Sequence, residues 1–118
     1  MKLKKERKIK KKKRKVVFMK MLKGFIAYEM TVQLFKGCEE VKTNRILKDQ
    51  LTRASSSIVL NISEGSTKPS LKDKRRFYSI ALGSLRETQR ILHLINQAEL
   101  FELAYKLGGL IYRLVYPK

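Results

Sequence analysis

The chain has 118 residues, 43% of them hydrophobic, with no tryptophan, one cysteine and a formal net charge of +18. This length fits a single domain with a modest hydrophobic core. A single cysteine excludes an internal disulfide and is compatible with a reducing cytoplasm, where we expect the protein to reside.

The positive charge is concentrated at the N-terminal end. Residues 1–23 hold 13 of the 28 Lys and Arg residues and one of the ten acids, so they carry +12 and the remainder carries +6. We therefore divide the chain into a disordered basic tail at residues 1–16 and a helical domain at residues 17–116. Nucleic-acid phosphates are the natural partner of such a tail, because binding releases counterions. An alternative origin of the lysine run is a misassigned start codon, because AU-rich sequence upstream of a gene would be translated as lysines.

The segment after the tail does not fit a signal peptide or a membrane anchor. Lys20 and Lys23 interrupt its apolar run. No segment approaches the roughly 20 apolar residues needed to cross a bilayer. We therefore expect no membrane partner.

Hydrophobic periodicity and the scarcity of glycine and proline predict an all-α fold of four helices. The first helix is predicted from Val17 to Glu40, with Gly37 loosening its end. Its predicted inner face consists of Phe18, Leu22, Phe25, Glu29, Val32 and Phe35. The second helix is predicted to begin after Thr43 or Asn44 and to run to Glu64, with Gly65 as its stop. Its predicted seam consists of Leu47, Leu51, Ala54, Ile58 and Ile62.

The third helix is predicted to begin after an N-cap at Ser70 and to end near Asn96. Its predicted inner stripe consists of Phe77, Ala81, Ser84, Thr88, Ile91 and Ile95. The fourth helix is predicted from Ala98 to Val115, with Leu100, Leu103, Leu107, Leu110 and Leu114 facing inward. Short connections favour an antiparallel up-down-up-down bundle.

Small and polar residues in the second and third helices predict a specified contact between helices. Serine hydroxyls allow close approach, and the amide of Asn61 can form hydrogen bonds between helices. Glycine inside a helix costs about 1 kcal/mol relative to alanine, so Gly83 predicts close approach by another backbone. The residues assigned to packing and assembly are Ser57, Asn61, Glu64, Gly65, Gly83 and Ser84.

Basic residues recur along the third helix at steps of three, four and seven. Phosphate contacts would position a nucleic acid without reading its sequence. Tyr78 is the only evident candidate for base stacking here, so we predict backbone-directed binding. The alternative is a solvated face that pairs with Glu87 or with acids of a neighbour. The residues assigned to nucleic-acid binding are Lys10, Lys11, Lys12, Lys13, Arg14, Lys15, Arg53, Lys72, Arg75, Arg76, Arg86 and Arg90.

The sequence predicts no catalytic site, metal site or cofactor. His93 is the only histidine, and no cysteine pair or acid cluster has the spacing of metal ligands. Cys38 has no neighbour that would activate it. A hydrolase that uses Ser57, Glu64 and His93 is the weakest alternative, since the serines lack the glycine-flanked elbow of hydrolases.

Two motifs occur in order along the chain. The first, preceded by Lys48-Asp49-Gln50, consists of Leu51, Arg53, Ala54, Ser57, Ile58, Asn61, Ile62, Glu64 and Gly65. The second is the segment Arg76–Glu87. Together they resemble the small bacterial "four helix bundle protein" family, which includes proteins encoded within intervening sequences of large-subunit ribosomal RNA genes. The chain departs from the family in its longer basic tail and in having Val59 and Leu60 where prolines are common.

The resemblance implies an antiparallel four-helix bundle that assembles into a homopentameric ring, without established enzymatic activity. The related accessory variability determinant of diversity-generating retroelements is a basic pentamer that binds nucleic acid and a reverse transcriptase. Our leading hypothesis is therefore a non-enzymatic oligomer that binds RNA or DNA through basic surfaces. The alternative is an adaptor for a protein partner such as a reverse transcriptase, without direct nucleic-acid contact.

Overall fold

A computed structural model of the chain describes residues 24–117, and within them it is all-α, with four helices. Helix α1 occupies residues 24–40 in the described part, α2 Arg45–Thr67, α3 Leu71–Leu94 and α4 Ala98–Val115. The basic tail at 1–16, the predicted start of the first helix at Val17 and its predicted inner residues Phe18 and Leu22 lie outside the described residues.

The helix boundaries follow from local capping chemistry. The Asn44 side chain accepts a hydrogen bond from the Leu47 amide at 2.9 Å, and Ser70 accepts one from the Asp73 amide at 3.1 Å. These bonds satisfy amides that have no partner inside the helix, so the predicted N-caps Asn44 and Ser70 are confirmed. The predicted bounds of α4 are also confirmed.

Helix α3 ends through a left-handed asparagine. Asn96 has a φ of 60°, a conformation that asparagine tolerates better than most residues. Its amide bonds the His93 carbonyl at 3.2 Å, and the Gln97 amide bonds the Leu92 carbonyl at 2.9 Å. This pair of bonds is the Schellman arrangement, and it turns the chain into α4 within three residues.

Helix α3 packs against both α2 and α4. Contacts with α2 join Gly65 to Tyr78 and Ser57 to Ser84, so the residue number falls along α3 as it rises along α2. Contacts with α4 join Arg75 to Val115 and Leu85 to Gly108, again in reverse order. Each of these two pairs of helices is therefore antiparallel.

The hydrophobic core draws on all four helices. Three buried hydroxyls, of Thr31, Ser55 and Thr88, each donate to a carbonyl of the preceding turn at 2.6–2.9 Å, so the core contains polar groups without leaving them unpaired. The main apolar members of the core are Leu34, Cys38, Leu51, Ile58, Ile62, Ala81, Leu85, Leu92, Ala104, Leu107 and Ile111.

The end of α1 is held by a lysine of α2. The Nζ of Lys48 donates to the carbonyls of Cys38 and Val41 at 3.0 and 2.7 Å, and also to that of Glu39. A cation at this position satisfies carbonyls that the helix leaves unpaired and complements the negative end of the helix dipole. Lys48 therefore ties the two helices together across the connection at residues 41–44.

The predicted inner face of α1 is wrong. Phe25 and Glu29 are exposed, and Val32 and Phe35 are only half-buried. The buried face consists of Ala27, Thr31, Leu34 and Cys38. The helix has two apolar faces, and the one with smaller side chains is buried. Beside that face, Leu100 of α4 contacts Gly37. Gly37 thus admits a neighbouring side chain and does not loosen the helix end.

The predicted stripes of α3 and α4 are rotated from the observed ones. On α3, Ala81, Thr88 and Ile91 are buried as predicted, whereas Phe77, Ser84 and Ile95 lie at the edge. Because α3 packs against two helices, its buried arc widens to include Tyr78, Leu82, Leu85 and Leu92. On α4 only Leu107 of the five predicted leucines is fully buried. The buried residues of α4 are Ala104, Leu107, Ile111 and Val115.

Gly65 does not stop α2, which continues to Thr67. It lies inside the helix beneath an aromatic ring: a Cβ at Gly65 would meet Tyr78 Cε1 at 2.7 Å and Phe77 Cβ at 3.2 Å. Gly83, in contrast, is exposed, and a Cβ there would meet nothing within 4 Å. The close approach predicted for Gly83 is therefore found at Gly65, where α2 and α3 come together.

No helix within residues 24–117 combines the length and the apolar character that crossing a bilayer requires.

We expect Gly65→Ala and Gly83→Ala to have opposite effects on stability. Both substitutions gain helix propensity, about 1 kcal/mol at an exposed interior position. At Gly65 the added methyl clashes with the buried Tyr78 ring, so this variant should be less stable than Gly83→Ala by about 1–3 kcal/mol. Urea unfolding followed by circular dichroism measures the free energies of unfolding. Equal stabilities would show that the ring of Tyr78 moves aside without cost.

Candidate nucleic-acid interface

The outer face of α3 is basic along most of its length. Residues Lys72, Arg76, Ser79, Gly83, Arg86 and Arg90, which we call the α3 basic stripe, are all exposed. At 3.6 residues per turn they fall within a sector of about 80°, and they extend over about 27 Å along the helix. The buried residues Ala81, Leu85 and Leu92 lie on the opposite side, so packing in the core holds the stripe toward solvent.

The small residues Ser79 and Gly83 lie at the centre of the stripe, between Arg76 and Arg86. They leave the backbone of α3 accessible between two pairs of cations. The two acids of α3, Asp73 and Glu87, lie outside the sector. The stripe therefore presents a row of positive charge without an acid inside it, which suits an extended polyanion.

Arg53 reaches the edge of this surface from α2. Its Nη2 atom lies 3.8 Å from Oε1 of Glu87, and the two side chains are 75% and 46% exposed. An ion pair this exposed contributes little to stability, typically below about 1 kcal/mol. The alternative prediction is that the basic face of α3 pairs with Glu87. In the structure, Glu87 pairs with Arg53 of the neighbouring helix α2.

Arg75 lies outside the α3 basic stripe. Its Nε atom donates to the carbonyl of Val115 at 2.7 Å, at the end of α4. This carbonyl belongs to the last turn of α4, where a cation is favoured by the helix dipole. The structure thus gives Arg75 a backbone partner that ties the start of α3 to the end of α4.

The tail residues Lys10 to Lys15, which the sequence assigns to nucleic-acid binding, lie outside the described residues. The surface described above therefore includes no residue of the tail.

The seam between α2 and α3 contains a short polar network. Oγ of Ser57 lies 2.8 Å from Oγ of Ser84, and this hydrogen bond joins the two helices. Nδ2 of Asn61 donates to the carbonyl of Ser57 at 2.8 Å and to its hydroxyl at 3.1 Å. The amide of Asn61 thus bonds within its own helix and orients Ser57. Glu64 lies at the surface, with its carboxylate 2.8 Å from Nζ of Lys68.

Tyr78 is not available for base stacking. Only 7% of its surface is exposed, because its ring packs over Gly65, and burial raises the pKa of its phenol above the ordinary value. Three exposed tyrosines lie elsewhere: Tyr105 at 68% and Tyr112 at 50% on α4, and Tyr116 at 53% directly after its end. Their spacing of seven and four residues places them on one helix face, a signal that sequence analysis missed.

The candidate hydrolase residues are not brought together. Glu64 lies near the turn between α2 and α3, whereas His93 packs against Phe101 at the other end of α3, with ring centroids 6.0 Å apart. Gly65, next to Glu64, contacts Tyr78, and the helix from Tyr78 to His93 is about 22 Å long. Among residues 24–117, no three His, Cys, Asp or Glu side chains are grouped as metal ligands.

Cys38 is a buried thiol of α1. Burial raises its pKa to about 11, although Ser55 and Lys48 act in the opposite direction. A thiol with this pKa remains protonated at neutral pH and is a poor nucleophile.

Comparison with protein families gives one match. The family described as "23S rRNA-intervening sequence protein" matches residues 23–107. The chain belongs to this family. Comparison with curated proteins and with solved structures finds no match.

The family match includes the whole α3 basic stripe and the polar seam between α2 and α3. Tyr105 lies within the matched residues, whereas Tyr112 and Tyr116 follow them. In this member of the 23S rRNA-intervening sequence protein family, the exposed tyrosines of α4 thus extend beyond the matched segment.

The different positions of Arg75 and Arg86 predict different effects of the same substitution. Arg75→Gln removes the hydrogen bond to Val115 and should lower the free energy of unfolding by about 1–2 kcal/mol. Arg86→Gln removes the same charge from an open surface and should change it by less than about 0.5 kcal/mol. Urea unfolding of both variants measures the difference. Equal losses would show that net charge, and not the bond to Val115, sets the effect.

Proposed function

We propose that this protein is a non-enzymatic oligomer that binds RNA or DNA through basic surfaces with little sequence specificity. The observation that supports this best is the α3 basic stripe, whose four cations are exposed on the face opposite the core. Its family description, which refers to an intervening sequence of 23S rRNA, is compatible with a nucleic-acid partner.

The proposed binding is electrostatic. Lys72, Arg76, Arg86 and Arg90 contact phosphates, and Arg53 adds a further cation at the edge of the stripe. Phosphate contacts fix the position of a strand but carry no information on its sequence. The tail residues Lys10 to Lys15 add long-range capture, since a run of lysines attracts a polyanion at low salt.

The proposed assembly is an up-down-up-down bundle that forms a homopentameric ring in the cytoplasm. Large apolar side chains outside the core support association between copies, because monomers rarely expose many of them together. These include Phe25 at 60%, Ile46 at 72% and Leu60 at 67% exposure. Five copies of the stripe around a ring would convert weak single contacts into stable binding through avidity.

Salt dependence tests the electrostatic mechanism. Fluorescence anisotropy with a labelled single-stranded RNA measures the Kd of the full chain between 50 and 200 mM salt. A protein that contacts six or more phosphates should lose roughly a thousandfold in affinity over this range. The triple variant Arg76→Gln, Arg86→Gln, Arg90→Gln should reduce the slope of log K against log salt by roughly 0.7 for each phosphate lost.

A matched control removes three exposed charges elsewhere. Lys36, Lys42 and Lys106 lie on α1, the following connection and α4, and all three are exposed. Their triple substitution by glutamine gives the same net charge and should leave most of the slope intact. Equal effects of the two triple variants would contradict a role for the stripe. The absence of RNA binding at 50 mM salt would overturn the nucleic-acid proposal and favour an adaptor for a protein partner.

Light scattering coupled to size exclusion tests the assembly. We expect the mass of five chains, with an increase when single-stranded RNA is added. A monomer with or without RNA would contradict the ring, and the avidity argument would fail with it.

A further inference from the structure

The exposed tyrosines of α4 form a row along the side of the helix that borders α3. Gly108 of α4 faces Leu85, and Phe101 faces His93, which identifies the side of α4 that contacts α3. At 100° per residue, Tyr105 and Tyr112 lie within about 60° of these two residues. Tyr116 directly follows the last residue of α4, and its amide donates to the carbonyl of Tyr112. All three are at least half exposed. We call Tyr105, Tyr112 and Tyr116 the α4 tyrosine row.

The α3 basic stripe borders the same groove from the other side. Arg75 and His93 identify the side of α3 that contacts α4, through Val115 and Phe101. Around α3, Arg86 lies about 20° from these two residues and about 100° from Leu85, which contacts Gly108 in the core. Lys72 and Arg90 lie a further ~40° toward solvent, so the stripe borders the exposed edge of the groove through Arg86. Packed helix axes are separated by about 8–10 Å, so a row of cations and a row of aromatic rings run side by side.

The two rows are in register along the helices. Along the helices, Tyr105 lies between two contacts, that of Leu85 with Gly108 and that of His93 with Phe101. The segment of α3 between these contacts holds Arg86 and Arg90. Tyr112 and Tyr116 lie near the contact of Arg75 with Val115, at the level of Lys72 and Arg76 along α3. Each end of the tyrosine row is therefore at the same level along the helices as a pair of cations of the stripe.

We infer that this groove binds single-stranded nucleic acid, with bases stacked on the α4 tyrosine row and phosphates held by the α3 basic stripe. This inference rests on the proposed function and specifies its ligand. Stacking requires unpaired bases, because the faces of paired bases are covered by their neighbours in a duplex. Phosphate charge matches the stripe, and the phenol rings supply sequence-tolerant surfaces for any base.

The geometry near Tyr112 supports an open platform. The rings of Tyr112 and Tyr116 lie with centroids 4.8 Å apart and are tilted by 48°. Gly109 lies between Tyr105 and Tyr112 in sequence, and a Cβ there would meet nothing within 4 Å. Gly109 thus leaves open space beside the helix at this point of the row.

Abasic DNA provides the decisive probe, since it has the charge of a single strand without its bases. Anisotropy measures the affinity of the full chain for labelled oligothymidine of about 15 nucleotides, for an abasic oligomer of equal length, and for a duplex. The wild-type protein should bind oligothymidine more tightly than the abasic oligomer. In Tyr105→Ala combined with Tyr112→Ala, affinity for oligothymidine should fall by about 5- to 100-fold, while the abasic affinity stays the same.

Tyr28→Ala is the matched control, because Tyr28 is an exposed tyrosine of α1. It should retain the preference for oligothymidine over the abasic oligomer. The tyrosine double variant should also keep the salt slope of the wild type, whereas the arginine triple variant should lower it. The chain has five tyrosines and no tryptophan, so quenching of tyrosine emission by oligothymidine, and not by the abasic oligomer, reports stacking directly.

Equal wild-type affinities for oligothymidine and the abasic oligomer would overturn the inference. If affinity still fell steeply with salt in that case, the proposed function would stand. Failure to bind any of the probes at low salt would overturn both. A lower oligomeric mass in the tyrosine double variant would assign the tyrosine row to an interface between copies and would also overturn the inference. If the double variant does not fold, Tyr105→Ala alone gives the same comparison.

Discussion

The packing of the Tyr78 ring over Gly65 sets the rotation of α3 about its axis. A side chain at position 65 would meet the ring at 2.7 Å, so only glycine allows α2 and α3 to approach this closely at their shared turn. The hydrogen bond between Ser57 and Ser84 fixes the same rotation two turns further along. With α3 oriented in this way, Leu85 and Leu92 enter the core and the cations at positions 76, 86 and 90 face solvent.

Cations fulfil two distinct roles in this protein. Lys48 and Arg75 bond to carbonyls at the ends of α1 and α4, where the helices leave backbone acceptors without partners. The cations of the α3 basic stripe are exposed on the face opposite the core. Net charge alone does not separate these roles, since Arg75 and Arg76 are neighbours in sequence. The separation depends on which side of α3 meets α4.

The polar seam and the exposed aromatic row both result from the use of small residues at helix contacts. Serines and glycines on the inner faces bring α2 and α3 close together, and Gly108 brings Leu85 of α3 close to α4. Larger side chains, including Tyr105 and Tyr112, are then left on the outside. This aromatic surface and the cations of the α3 basic stripe are the features on which the proposed binding of a nucleic-acid strand depends.

The sequence by itself determined the all-α class, the N-cap at Ser70, the bounds of α4 and the family, because these depend on local hydrogen bonding, periodicity and motif order. It narrowed the N-cap of α2 to Thr43 or Asn44, and the structure shows Asn44. It also identified the seam of α2, since Leu51, Ala54, Ile58 and Ile62 form a single apolar stripe. Only the tertiary structure decided which face of α1, α3 and α4 is buried, because each of these helices has more apolar positions than one face can hold. Tyr78 illustrates the reason: Arg75 and Arg76 precede it by three and two residues and suggest a surface, but its burial depends on Gly65, 13 positions away on another helix.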